Sequence, residues 1–227
     1  MSPLLSKYPV KDEAELLARC QLVEGLSFAQ LGNLLQITIP REQNKRKGWA
    51  GLAIELALGT TAGTKPVPDF TQLGIELKTV PLNAQGRPAE STFVTSIPLL
   101  TLHQQDWLSS QCYAKLKRVL WLPIEGDKNI PFEQRRIGRG FLWSPNQVEE
   151  AILANDWREL SLMISTGQLD EINGRIGQYL QVRPKAANAK SLCYGFDSEG
   201  NKILTLPRGF YLRSLFTEHI IRTNQLV

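Results

Sequence analysis

Apolar residues recur at helical spacing through the first third of the chain. Two groups follow a residue suited to capping a helix: Leu16, Leu17, Cys20 and Val23 after Asp12, and Phe28, Leu31, Leu34 and Leu35 after Ser27. A third helix is predicted from about Gly48 to Leu58, before a stretch of small residues at 59–66. The pattern therefore predicts a helical N-terminal lobe.

From residue 73 the apolar positions alternate with polar ones. Residues 73–80 have the alternation that is typical of a strand with one buried face. Further strands are predicted at 91–97, 118–124 and 138–143, helices at 146–163 and 168–180, and a C-terminal hairpin that joins 191–196 to 202–206. Because no repeat or long linker interrupts this order, we predict one α/β domain over residues 1–227.

Positive charge is concentrated towards the C-terminus. The formal net charge is only +4, but residues 183–222 hold seven Lys or Arg against three Asp or Glu. Such a segment fits a polyanionic partner without requiring one. The sequence therefore predicts a basic C-terminal lobe.

The cysteines and histidines form no metal-ligand spacing. They are Cys20, Cys112, Cys193, His103 and His219. Such wide separation disfavours a zinc motif or a disulfide framework and favours reduced thiols. The sequence has no signal-peptide pattern and no apolar stretch long enough to cross a membrane. We expect a soluble, cytoplasmic protein without a membrane partner.

Asp69, Glu76 and Lys78 form the strongest chemical motif in the sequence. Glu76 and Lys78 are two residues apart on a predicted strand, so they project from the same face, and Asp69 precedes that strand. Two carboxylates that converge at a strand can hold Mg²⁺, which prefers oxygen ligands. A neighbouring lysine can orient or deprotonate a water molecule, or stabilise charge in the transition state. An exposed strand with an ordinary ion pair has the same spacing, so spacing alone leaves both interpretations open.

Glu55 adds another acidic residue upstream of this motif. It stands in the apolar stretch 52–58, where an uncompensated charge would be costly. An exposed position on an amphipathic helix would also accommodate it. The residues alone therefore leave its role open.

Several blocks of the sequence resemble the MutH family of DNA mismatch-repair endonucleases. They lie in order at 47–49, 55, 63–66, 69–70, 73–79, 115–121, 183–190 and 204–212. Many restriction-type nucleases share the carboxylate motif, whereas the later blocks are much more specific. The resemblance extends over essentially the whole chain.

The resemblance implies a fold related to type II restriction endonucleases, with a mixed central sheet flanked by helices and two lobes that form a DNA-binding cleft. It implies an enzyme that uses Mg²⁺ to nick the unmethylated strand of double-stranded DNA at a hemimethylated GATC site. It also implies activation by the repair proteins MutL and, through MutL, MutS. Because one centre acting on one strand suits a single subunit, we expect a monomer.

The family motif assigns roles to the acidic and lysine residues. Asp69 and Glu76 would be metal ligands, with the Leu77 carbonyl as a third. Lys78 would be the catalytic lysine, and Glu55 a nearby acid that ligates or positions the metal site. Every position of this motif is filled, so the resemblance implies an active enzyme.

Three further residues resemble family positions close to the DNA. Lys115 resembles a lysine near the active site that is well placed to meet a phosphate, although a basic residue there would also suit a solvated helix end. Lys47 and Gly48 resemble a loop that approaches the DNA, where glycine lets the backbone come close. These roles rest on the resemblance.

Arg183, Pro184 and Lys185 match the segment with which the family recognises GATC. Arginine and lysine suit the N7 and O6 acceptors of guanine in the major groove. Asn188, in the same segment, would serve structurally or contact DNA. Tyr211 matches a residue linked to methylation discrimination, since a packed side chain can reject the methyl group on adenine N6. Without the resemblance, Tyr211 would be taken for an aromatic residue of the core or of an interface.

Two alternatives remain. A type II restriction endonuclease would use the same chemistry to cut both strands of GATC. Some such enzymes contain MutH-like domains, usually within longer chains, so the short length favours the repair enzyme. A non-catalytic protein that senses GATC methylation would not need Asp69, Glu76 and Lys78 together. Cutting of one strand or both, and the dependence on MutL, would separate these functions.

Overall fold

A computed structural model describes residues 9–63, 65–186 and 190–225. Contacts between residues divide the chain into two units. The first unit consists of the ranges Met1–Ala89, Arg118–Trp143 and Glu218–Val227. The second unit consists of Glu90–Lys117 and Ser144–Thr217. Each unit is described by itself.

The described part of the chain begins with three helices and continues with strands between which further helices lie. In chain order they are α1 (Glu13–Val23), α2 (Phe28–Leu35), α3 (Gln43–Leu58), β1 (Glu76–Leu82), β2 (Thr92–Ser96), α4 (Gln111–Leu116), β3 (Val119–Glu125), β4 (Phe141–Trp143), α5 (Gln147–Ser165), β5 (Leu180–Pro184), β6 (Cys193–Phe196), β7 (Lys202–Thr205), β8 (Arg208–Leu212) and α6 (Ser214–Gln225). Two short 3₁₀ turns lie at Leu102–Gln104 and Phe132–Gln134.

The two helix caps predicted near the N-terminus are confirmed. The Asp12 side chain accepts a hydrogen bond from the Glu15 N–H, and Ser27 forms a capping box with Gln30. The third helix, α3, begins at Gln43 rather than near Gly48. The basic residues that open α3 are good helix formers, so the helix extends beyond its apolar positions.

The sheet of the first unit is mixed, with strand order β1-β3-β4. β1 pairs with β3 in parallel, from Glu76 opposite Val119 to Leu82 opposite Glu125, and β3 pairs with β4 antiparallel. Six of the seven residues of β3 are buried, as expected for a central strand. Within the described part of the chain, no strand pairs with the outer edge of β1.

The core of the first unit lies between this sheet and the N-terminal helices. Its largest fully buried side chains belong to α1, α2, α3, β3 and the residue that precedes β1: Leu16, Phe28, Leu31, Ile54, Leu58, Ile75, Leu120 and Leu122. Ile75 and Leu77 face this core, which fixes the direction in which Glu76 and Lys78 point.

The second unit contains the antiparallel sheet β2-β8-β5, with β8 in the centre, and the separate hairpin β6-β7. The predicted C-terminal hairpin is confirmed, and its register places Tyr194 opposite Leu204. The long helix α5 begins with a capping box between Asn146 and Glu149. The hairpin packs close to the end of α5, since a Cβ at Gly167 would lie 1.9 Å from the Asp197 carbonyl oxygen.

Asp156 of α5 fixes the beginning of β5. Its carboxylate, in a residue that is 3% exposed, accepts hydrogen bonds from the backbone N–H groups of Gln178, Tyr179 and Leu180 at 2.9, 2.6 and 2.9 Å. Arg213 adds two bonds to the same region, from its backbone N–H to the Tyr179 carbonyl and from its guanidinium to the Ile176 carbonyl. The loop before β5 is thereby held in place by Asp156 and Arg213.

The helix predicted at 168–180 is wrong. That segment forms turns, and β5 begins at Leu180. Gly177 has a φ of 80°, and a Cβ there would lie 2.2 Å from the Leu180 carbonyl oxygen, so the backbone conformation requires glycine. The elements α4, β5, β8 and α6 were not predicted.

The predicted α/β class is confirmed, with a mixed sheet and flanking helices. The single domain over 1–227 and the DNA-binding cleft stay predictions. No helix within the described residues is long and apolar enough to cross a membrane. All three cysteines are free thiols, and burial raises the pKa of the Cys20 thiol to about 12.

Candidate active site and DNA-recognition surface

Glu76 and Lys78 form a close ion pair at the beginning of β1. Glu76 is 2% exposed, and Lys78 Nζ donates a hydrogen bond to Glu76 Oε1 at 2.7 Å. Burial of a carboxylate is costly unless a cation and hydrogen bonds compensate its charge. Because the side chain of Lys78 is itself only 12% exposed, this pair differs from the solvated ion pair that the spacing would also have allowed.

Asp69 is brought to the same strand by a short chain reversal. Phe70 and Ile75 form an antiparallel bridge around the turn 71–74, in which Gly74 has a φ of 66°. The Asp69 carbonyl accepts hydrogen bonds from the N–H groups of Thr61 and Ala62 at 2.9 and 3.2 Å. Asp69 is therefore fixed on both sides, and its side chain is directed at β1.

The Asp69 carboxylate contacts β1 through the main chain of Leu77. Its Oδ2 accepts a hydrogen bond from the Leu77 N–H at 2.9 Å, whereas the Glu76 N–H donates to the Arg118 carbonyl on the β3 side at 3.0 Å. The N–H and C=O of one strand residue project to the same edge. The Leu77 carbonyl therefore lies on the outer edge of β1, the edge on which Asp69 binds.

Arg118, which directly precedes β3, contacts β1 on the β3 side. Besides its main-chain bond to Glu76, its guanidinium Nε donates to Glu13 Oε1 at 2.8 Å. This hydrogen bond lowers the pKa of the Glu13 carboxyl. Arg118 thus connects the first turn of α1 to the strand that carries the acidic residues.

Glu55 and Lys115 lie on helices. Glu55 is half-buried in the last turn of α3, and its carbonyl accepts hydrogen bonds from Gly59 and Thr60. Lys115 is half-buried in the last turn of α4 and belongs to the second unit. Their participation in catalysis stays a prediction.

The donor atoms at β1 fit a magnesium ion. Asp69 and Glu76 offer carboxylate oxygens, and Leu77 offers a carbonyl at the same edge. Among the described residues, no group of three or more His, Cys, Asp or Glu is arranged to hold a metal ion. Mg²⁺ does not need such a group, because it keeps several water molecules and binds through one or two carboxylates together with substrate phosphates. Zinc, by contrast, favours His and Cys.

Three of the residues predicted to read DNA, Arg183, Lys185 and Tyr211, lie on one face of the sheet β2-β8-β5. Arg183 has its guanidinium carbon 6.0 Å from the ring centre of Tyr211, and Lys185 has Nζ 3.1 Å from the ring centre of Phe93. The two rings meet edge to face at 5.3 Å. Both cations therefore lie over an aromatic pair, and the electron-rich faces of the rings attract their positive charge.

Gly209 lies beneath this aromatic pair. A Cβ there would lie 2.9 Å from Phe93 Cε2 and 3.3 Å from Tyr211 Cε2. Any larger residue would push the rings away from the sheet. The glycine thus sets the position of both rings and, through them, of both cations.

Arg183 has a second partner. Its NH1 donates to Ser91 Oγ at 3.3 Å, and Gln181 Nε2 donates to the same oxygen at 2.7 Å. Pro184, next to Arg183, is exposed and pairs with Arg208 of β8. Four residues of this face were not predicted, because only the pairing of three strands from distant parts of the chain brings them together: Ser91, Phe93, Gln181 and Gly209.

Other residues predicted to contact DNA lie in a helix or outside the described part of the chain. Lys47 and Gly48 lie within α3 rather than in a loop; Gly48 is exposed, and the side chain of Lys47 is outside the described atoms. Asn188 and Thr64 lie outside the described residues. The roles of Lys47, Gly48 and Asn188 stay predictions.

Comparison with known proteins gives consistent matches. A family model described as the DNA mismatch repair enzyme MutH matches residues 58–156. The DNA mismatch repair protein MutH of Vibrio campbellii is 49% identical over 211 residues, which cover 93% of this chain and 93% of that protein. The protein of the same name from Escherichia coli strain K12 is 47% identical over 225 residues, which cover 99% of this chain and 97% of its own. The similarity therefore extends over both units.

Proposed function

The chain belongs to the MutH family of DNA mismatch repair endonucleases, and from this premise we propose that it nicks the unmethylated strand of double-stranded DNA at hemimethylated GATC sites. The reaction is the hydrolysis of one phosphodiester bond. The observation that carries this proposal is the buried Glu76–Lys78 pair at 2.7 Å, on a strand whose outer edge also binds the Asp69 carboxylate. This grouping of two acids and a lysine has the chemistry that phosphodiester hydrolysis requires.

We assign Asp69, Glu76 and the Leu77 carbonyl as ligands of Mg²⁺, with Glu55 as an acid that ligates or positions the metal site. A Mg²⁺ ion bound there would polarise a phosphoryl oxygen and lower the pKa of a water molecule. Asp69 is already oriented by its bond to the Leu77 N–H. Little reorganisation of the main chain is therefore needed for binding.

Lys78 is assigned as the catalytic lysine. Its ammonium group is restrained by Glu76 and is mostly removed from solvent, where a charge acts over a lower effective dielectric. From this position it can orient the attacking water or stabilise negative charge on the phosphate. Lys115 is assigned to a DNA phosphate, a contact that adds affinity without sequence information.

The second unit is proposed to read the GATC site. Arg183 and Lys185, supported by Pro184, would contact the N7 and O6 acceptors of guanine. Tyr211 would reject the methyl group on adenine N6. Lys47 and Gly48 of α3 would approach the DNA backbone.

We further propose that the protein acts as a monomer, and that MutL and, through it, MutS activate it. The relatives are named DNA mismatch repair proteins, and the activity of a repair enzyme must be confined to DNA that contains an error. We also propose a cytoplasmic location, because the relatives are bacterial and bacterial DNA lies in the cytoplasm.

One assay tests the central proposal. Purified protein is incubated with unmethylated, hemimethylated and fully methylated plasmids that contain one GATC site, with Mg²⁺ or EDTA and with or without MutL. We expect Mg²⁺-dependent nicking of the unmethylated strand that MutL accelerates, and no nicking of the fully methylated plasmid. Prompt double-strand cutting that MutL does not affect would favour a restriction enzyme, and binding without any cutting would favour a methylation sensor.

Replacing Tyr211 is expected to weaken methylation discrimination. The Tyr211 ring lies between Phe93 and the Arg183 guanidinium, so its removal would open space beside the target adenine. Excluding one methyl-sized group is worth about tenfold or more in relative rate. For Tyr211→Ala we therefore expect the ratio of unmethylated to methylated strand nicking to fall by about tenfold or more, with an unchanged Mg²⁺ requirement.

Two variants control this prediction. Tyr211→Phe keeps the ring and separates the effect of the hydroxyl. Tyr194→Ala removes an exposed tyrosine of the same unit, whose ring also lies near a lysine, 4.1 Å from Lys202 Nζ, and should leave the ratio unchanged. Equal ratios for the parent and Tyr211→Ala would remove Tyr211 from this role.

A further inference from the structure

The Arg183 guanidinium is attached to the sheet through a hydroxyl group. Ser91 Oγ accepts hydrogen bonds from both Arg183 NH1 and Gln181 Nε2. We propose that Ser91 and Gln181 are positioning residues for DNA recognition, which hold Arg183 in the orientation in which it meets a guanine. This inference rests on the proposed function, because it deepens the role given there to Arg183.

The strand order explains why these residues meet. Gln181 and Arg183 are two apart on β5 and so share a face, and Gln181 is opposite Tyr211 on β8. Ser91 immediately precedes β2, the strand on the other side of β8. The Ser91 hydroxyl therefore approaches β5 from across the central strand, and the Arg183 side chain runs back over the Tyr211 ring to meet it.

Burial decreases along this hydrogen-bonded group, from Gln181 through Ser91 to Arg183. Gln181 is 9% exposed, Ser91 is half-buried and Arg183 is exposed. The Gln181–Ser91 bond, at 2.7 Å, is the shorter of the two and involves the more buried groups. Gln181 thus fixes the hydroxyl, and the hydroxyl restrains the guanidinium.

Restraint of this kind matters for an arginine that reads a base. A bidentate contact to guanine needs two parallel N–H groups in the plane of the base. A free arginine samples many rotamers and loses that freedom on binding, whereas a restrained one has already lost part of it. The bond to Ser91 uses one of the five N–H donors of the guanidinium, so the base contact and the support are compatible.

The test is a double-mutant cycle between Ser91→Ala and Arg183→Ala, read as kcat/KM for nicking hemimethylated GATC in the presence of MutL. A hydrogen bond to a charged group is worth about tenfold in such a ratio. We expect Ser91→Ala to lower kcat/KM by about tenfold in the parent and by less than about twofold in the Arg183→Ala background. Ser91→Thr, which keeps the hydroxyl, should retain most of the activity.

A second readout distinguishes positioning from general support of the sheet. Nicking is measured on a site in which the guanine of GATC is replaced, and we expect Ser91→Ala to reduce the preference for guanine. Gln181→Met, which keeps the length of the side chain and removes its hydrogen-bonding amide, should give the same pattern with a smaller loss. This variant also carries the test if Ser91→Ala proves too unstable to assay.

The matched control is Ser161→Ala in α5. Ser161 is a buried serine of the same unit whose hydroxyl has no hydrogen-bond partner among the residues that the structure describes, so its loss should not affect nicking. Equal losses from Ser91→Ala in the parent and in the Arg183→Ala background would overturn the inference, as would parent-like activity of Ser91→Ala and Gln181→Met. A parent protein that fails to nick GATC would instead overturn the proposed function.

Discussion

Lys78→Ala is expected to lower the rate of DNA nicking by about 10²- to 10⁴-fold while DNA affinity changes by no more than a few-fold. The Lys78 ammonium group supplies positive charge to the proposed centre at β1, and it is held 2.7 Å from Glu76 Oε1. Its loss removes either the group that orients the water or the charge that stabilises the transition state. Single-turnover nicking and DNA-binding titrations measure the two effects separately.

The same substitution should also change stability, because the partner of Lys78 is buried. Removing one member of a buried ion pair leaves an uncompensated charge and typically costs about 3–5 kcal/mol. We expect the free energy of unfolding of Lys78→Ala to fall by up to about this amount without metal, and to recover in part when Mg²⁺ is added, if Glu76 is a metal ligand. Chemical denaturation with and without Mg²⁺ measures this recovery.

Lys45→Ala is the matched stability control. Lys45 also pairs with a glutamate, Glu42, at 3.0 Å, but both side chains are more than half exposed. Such surface pairs contribute about 0–1 kcal/mol. Equal destabilisation by Lys78→Ala and Lys45→Ala would mean that burial of the Glu76 pair has no energetic effect, and parallel losses of nicking and DNA binding in Lys78→Ala would undermine its catalytic assignment.

The acidic and lysine residues were predictable because they depend on local geometry. Alternation along one strand places Glu76 and Lys78 on one face whatever the rest of the fold does. The position of Asp69 depends on the bridge between Phe70 and Ile75, which is also local. What the sequence did not show was the burial of this face, since that depends on the packing of β1 against its neighbours.

The supports of the DNA-reading residues were not predictable in the same way. Ser91 and Arg183 are 92 positions apart in sequence, and they meet only because β2 and β5 both pair with β8. The alternation within β8 is weak, since Gly209 interrupts it, and β5 was not predicted as a strand, with its first residue, Leu180, placed at the end of a helix. Non-local strand pairing of this kind leaves no pattern within a single segment.

The wrongly predicted helix at 168–180 shows how side chains can override a pattern. Leu169, Ile172, Ile176 and Leu180 have helical spacing, but only Leu169 and Leu180 are buried. A helix would need the N–H groups at 178–180 for its own hydrogen bonds. Asp156 binds those three N–H groups instead, so the segment ends in a strand.

Asp156→Ala is therefore expected to destabilise the second unit strongly. It would leave three N–H groups without their acceptor, and each unsatisfied buried group costs about 1–3 kcal/mol. Because water can reach part of this loop, we expect a loss of about 3–5 kcal/mol rather than the full sum. Asp106→Ala is the matched control: Asp106 lies in the same unit and accepts one backbone bond, from Ser109 at 3.0 Å, in an exposed turn.

Local unfolding is the sharper measurement, since two units need not unfold in one transition. Hydrogen exchange should accelerate at the amides of Gln178, Tyr179 and Leu180 in Asp156→Ala and remain unchanged in Asp106→Ala. Because β5 begins at Leu180 and carries Gln181 and Arg183, we also expect a loss of GATC preference that exceeds the loss of Mg²⁺-dependent cutting. Unchanged exchange at these three amides would show that the Asp156 carboxylate does not hold the strand, and the DNA-reading face would then depend on the sheet alone.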